Sequence, residues 1–406
     1  MSPTTPNRWV IAAAGIVMQV ALGAIYAWSV FRTPLIDEFG WTISEVTLTF
    51  TIAIFVVGFA TFGGGIWMGR SGPRVVALSG GVLYGAGILL ASFTNGRLWW
   101  LYASYGLLGG IGLGLGYIVP VATLVKWFPD RRGMITGLAV AGFGGGALIT
   151  APLATRLIGT VGVLNTFAVL GVIYLVMIVG AALFMQDPPA GYKPAGWDPP
   201  ATGRQQHATA YTLSEALRCW QWYGLWVLLF LNTTAGISII SQAAPMAQEI
   251  TSVSAAVAAA MVGLISIANG VGRLFWAWSS DFIGRRTVFL IMFALQAVVF
   301  WFLPSARSVT MFGVLAGIIL LCYGGGFGTM PAFAADYFGT MHVGSIYGLM
   351  LTAWSAAGVL GPTLIASLRE STGSYNQAMY VIAGLMAVSA VIPLMVRPPV
   401  PDTGGQ

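Results

Sequence analysis

Residues 269–276 read "NGVGRLFW" and set an arginine in a stretch otherwise free of charge: from Val253 to Ser280, Arg273 is the lone ionised side chain. A guanidinium stays protonated at every physiological pH, so it serves neither as a base nor as a nucleophile. It offers a planar fork of donors that matches a carboxylate through two parallel hydrogen bonds. Asn269 lies one turn earlier on the same helical face. Helical side chains lean toward their own N-terminus, so the guanidinium is expected to point back toward Asn269. Tyr26, Tyr117 and Tyr323 sit in other apolar stretches, where each could donate a hydroxyl proton to an anion from an oily wall. Packing and interfacial belts also use aromatic residues, but the depth of Tyr26 argues against a belt. Together these types bind an anion; they do not break bonds.

The groups that are absent narrow the chemistry further. All twelve Asp and Glu fall in connections or at the ends of apolar segments, as do His207 and His342. With no carboxylate or imidazole at a segment centre, a buried acidic proton relay and a membrane hydrolase are both disfavoured. No metal, cofactor or catalytic residue is expected, and the chain is read as a non-enzyme. Cys219 and Cys322 have neither metal-site spacing nor a context for a disulfide. The runs "GGIGLGLG" (109–116), "GFGGG" (142–146) and "YGGGFG" (323–328) lie inside apolar segments. They lack the Lys-Ser/Thr of a phosphate loop and suit close helix approach.

These residues need a scaffold, and the composition names its solvent. Only 7% of the 406 residues are charged, against about 25% in an ordinary soluble domain. Such a chain cannot cover a water-facing surface and must face lipid. A helix needs about 20 apolar residues to span the hydrocarbon. Twelve segments qualify: 9–31, 45–68, 75–94, 98–125, 134–157, 165–185, 222–246, 253–279, 287–304, 308–333, 343–368 and 377–396. The apolar run from Trp9 has no small-residue cleavage site after a short core, so it is read as a retained span. The net charge of +6 lies in short connections, which does not make a nucleic-acid face. Arg32, Arg97, Arg156, Arg307 and Arg369 fall on one side of the membrane. Every other Lys and Arg except Arg273 falls on the other. That excess puts both termini in the cytoplasm of a cell with an inner membrane.

The chain also repeats itself. "GIWMGRSGPR" (65–74) follows the second segment and "AWSSDFIGRR" (277–286) the eighth, at an offset of 212 residues. The aromatic pairs of "WFPDRRG" (127–133) and "YFGTMHVG" (337–344) are offset by 210. The Pro- and Gly-rich connection between the copies reads as a linker, and "TLSEALRCWQW" within it starts with a Thr212–Glu215 capping box. The expected architecture is an all-α membrane protein, with twelve transmembrane helices in two pseudo-symmetric six-helix bundles. Residues 1–186 form one bundle, 187–220 a cytoplasmic linker and 221–406 the second bundle. Such duplication places a site between the halves near the midplane, exposed alternately as one half rocks against the other.

Twelve spans, a duplicated loop of the GxxxDRxGRR type and a long central linker resemble the major facilitator superfamily. Gly69 replaces the usual Asp of the first loop copy, and Phe282 the usual Arg of the second. More narrowly, "YAWSVF" (26–31), "PLIDEFGW" (34–41), "KWFPDRRG" (126–133), "NGVGR" (269–273) and "SDFIGR" (280–285) are similar to oxalate–formate exchangers and monocarboxylate transporters. The resemblance implies substrate contacts from Arg273, Tyr26, Tyr117 and Tyr323. It also brings out differences. Oxalate exchangers carry a lysine on span eleven, where Trp354 is read as the matching residue, and tyrosines where Phe143 and Phe327 stand here. One cation and more apolar walls suit a monocarboxylate of lactate or pyruvate type better than oxalate. Animal monocarboxylate carriers have an aspartate four residues before the span-eight arginine; here Asn269 stands there and cannot titrate. The expectation is a monomeric secondary transporter of small monocarboxylates working by alternating access. Proton symport is the first reading and anion exchange the alternative; the partners are a carboxylate, protons and lipid. A receptor that binds a carboxylate without moving it is disfavoured, because no sizeable soluble signalling module is present.

Overall fold

A computed structural model gives the fold, and it describes residues 6–197 and 210–399. The middle of the expected linker, with Arg204 and His207, lies outside the described residues, as does Asp402. Helices α1 (Arg8–Leu22), α2 (Trp28–Phe39), α3 (Ile43–Ala91), α4 (Leu98–Leu101), α5 (Gly110–Trp127), α6 (Arg132–Val161) and α7 (Val163–Ala182) come first. After the linker follow α8 (Leu213–Arg218), α9 (Trp220–Thr251), α10 (Ala255–Ile283), α11 (Arg285–Phe302), α12 (Val309–Phe338), α13 (Val343–Met350), α14 (Thr352–Thr372), α15 (Tyr375–Ser389) and α16 (Ile392–Met395). Among the described residues there is no strand.

These helices make twelve crossings. Among the described residues, ten continuous helical stretches are long and apolar enough to cross a membrane. One of them, α3, has 49 residues, far too many for a single pass at about 1.5 Å per residue through a core of about 30 Å. It folds back at Gly72, whose φ of 76° and ψ of 167° leave the helical region and favour glycine. Gly284, at φ 86°, makes the matching turn between α10 and α11, 212 residues on, so the sequence repeat preserves a backbone conformation. The twelfth crossing is α10, 29 residues long, which carries Arg273. Large apolar side chains such as Leu264, Trp301 and Val388 are exposed on the outer faces, as lipid contact requires.

Two crossings predicted as smooth helices are interrupted beside the aromatic residues of interest. Between α1 and α2 the chain tightens into a 3-10 stretch, Gly23–Ala27, that contains Tyr26. The cause is tertiary: a Cβ on Gly23 would stand 1.9 Å from the Phe143 carbonyl oxygen, so α6 presses the backbone there. The second interruption is at Leu351, between α13 and α14, three residues before Trp354. Several helices also run beyond the predicted ends, as α6 and α9 do, because their polar ends emerge from the apolar layer. The capping box of α8 forms: the Thr212 backbone N–H and hydroxyl donate to Glu215 at 2.7 and 2.8 Å and hold its carboxyl below the usual carboxylate range.

The two bundles meet where α3 packs on α13 and α14, and where α6 packs on α10 and α12. On the side that carries the termini this seam is bolted by charge. Asp281, at the end of α10, accepts from the backbone N–H groups of Gly133 and Met134 at 2.9 and 2.8 Å. It thereby caps α6 from the opposite bundle, where Arg131 supplies no side-chain cap. Arg285 pairs with both Asp281 and Asp336, and Arg132 reaches across to Asp336 at 2.8 Å. On the other flank of the seam, at the same end, α3 and α13 approach closely without charge: a Cβ on Gly65 would lie 2.1 Å from the Gly344 carbonyl oxygen. Asp281→Ala is expected to loosen the seam. Maleimide labelling of Thr136→Cys from the termini side should quicken about fivefold, what a lost cap of roughly 1 kcal/mol would release. Unchanged labelling would show that the cap does not hold the seam.

Candidate functional site

The site lies where α1, α5, α6, α10, α12 and α13–α14 converge. α10 comes close to its neighbours because they present glycine. A Cβ on Gly328 of α12 would sit 2.1 Å from the Arg273 carbonyl oxygen, and one on Gly137 of α6 would sit 2.8 Å from it. Small residues at such crossings bring helix axes together where lipid supplies no hydrophobic drive. Further along α6, Gly144 leaves room for the side chain itself: a Cβ there would lie 3.2 Å from Arg273 Nε.

Arg273 is 1% exposed. Its guanidinium leans toward the start of α10, as its position on the helix predicts, and Nε donates to Asn269 Oδ1 at 3.4 Å. Nη1 donates to the Val140 carbonyl of α6 at 3.3 Å. Both contacts are longer than the usual N–H···O range of about 2.7–3.2 Å. Nη2 is buried with no hydrogen-bond partner. The charge meets tyrosines, not carboxylates: Tyr26, Tyr117 and Tyr323 are its electrostatic neighbours. The Phe143 and Phe327 rings lie 5.8 and 5.4 Å from the guanidinium carbon, within cation–π range. A buried cation held by two long bonds and two ring faces is under-neutralised.

Aromatic rings enclose the space beside it. Phe143 meets Tyr26, Tyr117 and Trp354 with ring centroids 5.3, 5.1 and 6.1 Å apart. Trp354 also meets Phe327 at 5.3 Å and Tyr26 at 6.5 Å, and Tyr323 meets Phe327 at 5.3 Å. All eight sequence-predicted residues therefore belong to one cluster: Arg273, Asn269, Tyr26, Tyr117, Tyr323, Phe143, Phe327 and Trp354. Tyr347 of α13 joins them and was not anticipated. The hydroxyls of Tyr26, Tyr117 and Tyr347 are buried with no partner at hydrogen-bond distance; Tyr26 faces Arg273 and Tyr323, and Tyr117 faces Tyr347. These hydroxyls and Nη2 gather in a single cluster donors of the kind an anion takes. Among the described residues, no group of His, Cys, Asp and Glu could hold a metal ion.

The two site tyrosines on α5 and α12 are held by matching amides. Gln19 of α1 donates to the Tyr117 carbonyl at 3.3 Å, and Asn232 of α9 donates to the Tyr323 carbonyl at 3.1 Å. α1 and α9 open the two bundles, so the amides occupy corresponding places in the repeat. Gln296 donates to Asn232 Oδ1 at 3.0 Å, which fixes which way the asparagine amide faces. Gly326 makes the space: a Cβ there would fall 2.1 Å from Asn232 Nδ2. A polar amide inside an apolar span is the signal that would have found these residues.

Comparison with known proteins adds relatives to this geometry. The sequence profile of the Major Facilitator Superfamily matches residues 10–246 and 225–406. The oxalate:formate antiporter of Oxalobacter formigenes is 28% identical over 97% of this chain and 93% of its own. Monocarboxylate transporter 13 of Rattus norvegicus is also 28% identical, over 94% of this chain and 87% of its own. The solved structure of FucP, the E. coli fucose:proton symporter, superposes with a TM-score of 0.72 at 13% identity and covers 97% of this chain and 100% of that one.

Asn232→Leu strips the Tyr323 carbonyl of a donor and leaves Gln296 Nε2 without its side-chain acceptor. The expected loss is about 1–3 kcal/mol of stability, read as a melting temperature several degrees lower in detergent. An unshifted melting temperature would mean that the amide pair carries no load.

Proposed function

The chain belongs to the Major Facilitator Superfamily, and from that premise we propose that it is a secondary transporter of small monocarboxylate anions, with Arg273 as the group that holds the carboxylate. One observation carries this reading: a buried guanidinium with an unpartnered Nη2 and only tyrosines as electrostatic neighbours. A carboxylate entering the aromatic box would take donors from Arg273 and from the idle hydroxyls of Tyr26, Tyr117 and Tyr347. Those bonds are charge-assisted and strengthen in a dry surround. A single cation neutralises a single carboxylate, and a second carboxylate in this box would meet ring carbons. That favours monoanions over dianions. The similarity to an oxalate:formate antiporter and to a monocarboxylate transporter supports a small carboxylate as substrate.

The proposed cycle has residues 1–186 rock against 221–406, with 187–220 as the tether. In the working orientation both termini and the tether face the cytoplasm of an inner membrane, and one monomer is sufficient. The geometry favours anion exchange over proton symport. A symporter returns empty, and an empty box would have to reorient around a guanidinium that lacks its counter-ion. A symporter also needs a group that takes up and releases a proton. The residue that faces Arg273 is Asn269, and an amide does not titrate.

Liposomes separate the two modes. Exchange predicts that labelled lactate or pyruvate enters only vesicles preloaded with a carboxylate, whatever the pH gradient; uptake into empty vesicles driven by an inward proton gradient would restore symport. Arg273→Lys keeps the charge and loses the fork. Transport efficiency should fall about ten- to a hundredfold, as expected for a lost charged hydrogen bond. Near-normal uptake by that variant would reject Arg273 as the carboxylate's partner.

A further inference from the structure

Beside the aromatic box, away from the termini, lies a cavity of about 190 Å³ that shares Tyr26, Tyr323 and Trp354 with it. Its other walls come from α3, α9 and α14, with Phe50, Ile54 and Ile237 as the principal apolar surfaces. Three hydroxyls also line it, and all three are spent on backbone. Thr51 donates to the Thr47 carbonyl at 3.3 Å and Ser241 to the Ser238 carbonyl at 3.1 Å. Ser355 faces the Ile54 and Phe55 carbonyls at 3.2 and 3.1 Å. The cavity therefore offers a guest mostly hydrocarbon and ring faces, and its two phenol hydroxyls, those of Tyr26 and Tyr323, stand on the wall shared with the anion box. Such a space is polar at one end and apolar along the rest.

We propose that this cavity is a tail subsite, and that the preferred substrates are aliphatic monocarboxylates of about four to six carbons, with no hydroxyl beyond the carboxyl end. The inference rests on the carboxylate reading of Arg273 and deepens it. The head takes Arg273 and Tyr26, and the chain passes the edge of Trp354 to lie against Ile54 and Ile237. A two-carbon acid leaves the cavity unfilled. A hydroxyl on the tail would enter a space whose Ser and Thr donors are already spent on backbone and whose walls are mostly hydrocarbon, and burying it there is unfavourable. Specificity in this scheme comes from the cavity: the guanidinium accepts any small carboxylate, and the apolar walls choose among them.

Gly358 offers a handle on the subsite alone. A Cβ there would make ordinary contacts, 3.4 Å to Ile54 and 3.8 Å to Ile237, so a larger side chain projects into the cavity. The test is equilibrium binding of sodium acetate, butyrate and hexanoate to the purified full-length protein in lipid nanodiscs, with hexanol and 3-hydroxybutyrate alongside. Affinity should rise about fourfold for each methylene that enters the cavity. Butyrate should bind more tightly than 3-hydroxybutyrate, hexanol should bind far more weakly than hexanoate, and Gly358→Leu should flatten the series. Equal or falling affinity from acetate to hexanoate, with acetate binding still lost in Arg273→Lys, would overturn the tail subsite and leave the anion site standing. Indifference of all three acids to Arg273→Lys, or hexanol binding as tightly as hexanoate, would overturn the anion site and the subsite with it. If Gly358→Leu does not fold, the acid series on the unaltered protein decides the matter.

Discussion

A cation that cannot lose its proton is buried at the meeting of six crossings, and its neighbours neutralise it only in part. Isolated at a helix centre, such a side chain costs roughly 2.5–3.5 kcal/mol on insertion scales. The fold recovers some of this through Asn269, the Val140 carbonyl and the rings of Phe143 and Phe327. It leaves Nη2 idle. The rest of the site follows from that remaining deficit: a dry aromatic box around the charge, idle hydroxyls aimed into it, and glycines that let three helices close on it. In the proposed function, a guest with one negative charge completes the set.

The repeat supplies the frame, and its breaches supply the function. Both halves share the glycine turn at 72 and 284 and the amide clasp on a site tyrosine. The halves differ where charge is concerned. The position matching Arg273 in the first half is Thr61, which is buried and reaches the Gly348 carbonyl at 3.3 Å. The position matching Asp281 is Gly69, around which a Cβ would meet nothing within 4 Å. One half thus carries both the cation of the site and the carboxylate that caps the other half's helix. The second face of the seam, α3 against α13, is held by close backbone approach and the uncharged Thr61–Gly348 hydrogen bond, where the first is held by ions. In the proposed cycle, rocking would break the ionic face, and the glycine face has no charge to release.

Much of this was legible because the decisive groups are rare in their surroundings. An arginine in an uncharged span, tyrosines deep in apolar segments and a repeat at an offset of 212 need no coordinates to be noticed. The helical lean that points Arg273 at Asn269 follows from its place in the span. What stayed hidden was set by partners distant in sequence. The break at Gly23–Ala27 has no proline to announce it, since its cause is the Phe143 carbonyl on another helix. Tyr347 lies near the start of its span, where aromatic residues ordinarily mark the interface. The cap by Asp281 joins residues 148 apart, and the roles of Gln19 and Asn232 appear only once each is seen against a tyrosine carbonyl. Amides carry no charge, so a search for ionised groups passes over them.

The central claim is that Arg273 grips a carboxylate in the aromatic box. The most direct measurement is an experimental density map of the protein with 3-bromopropionate, using the anomalous signal of bromine to orient the molecule. The account predicts carboxylate oxygens about 3 Å from the guanidinium nitrogens, with bromine toward Ile54 and Ile237. Bromine found only at the protein's outer surface, or a carboxylate bound to other cations while Nη2 stays bare, would contradict it.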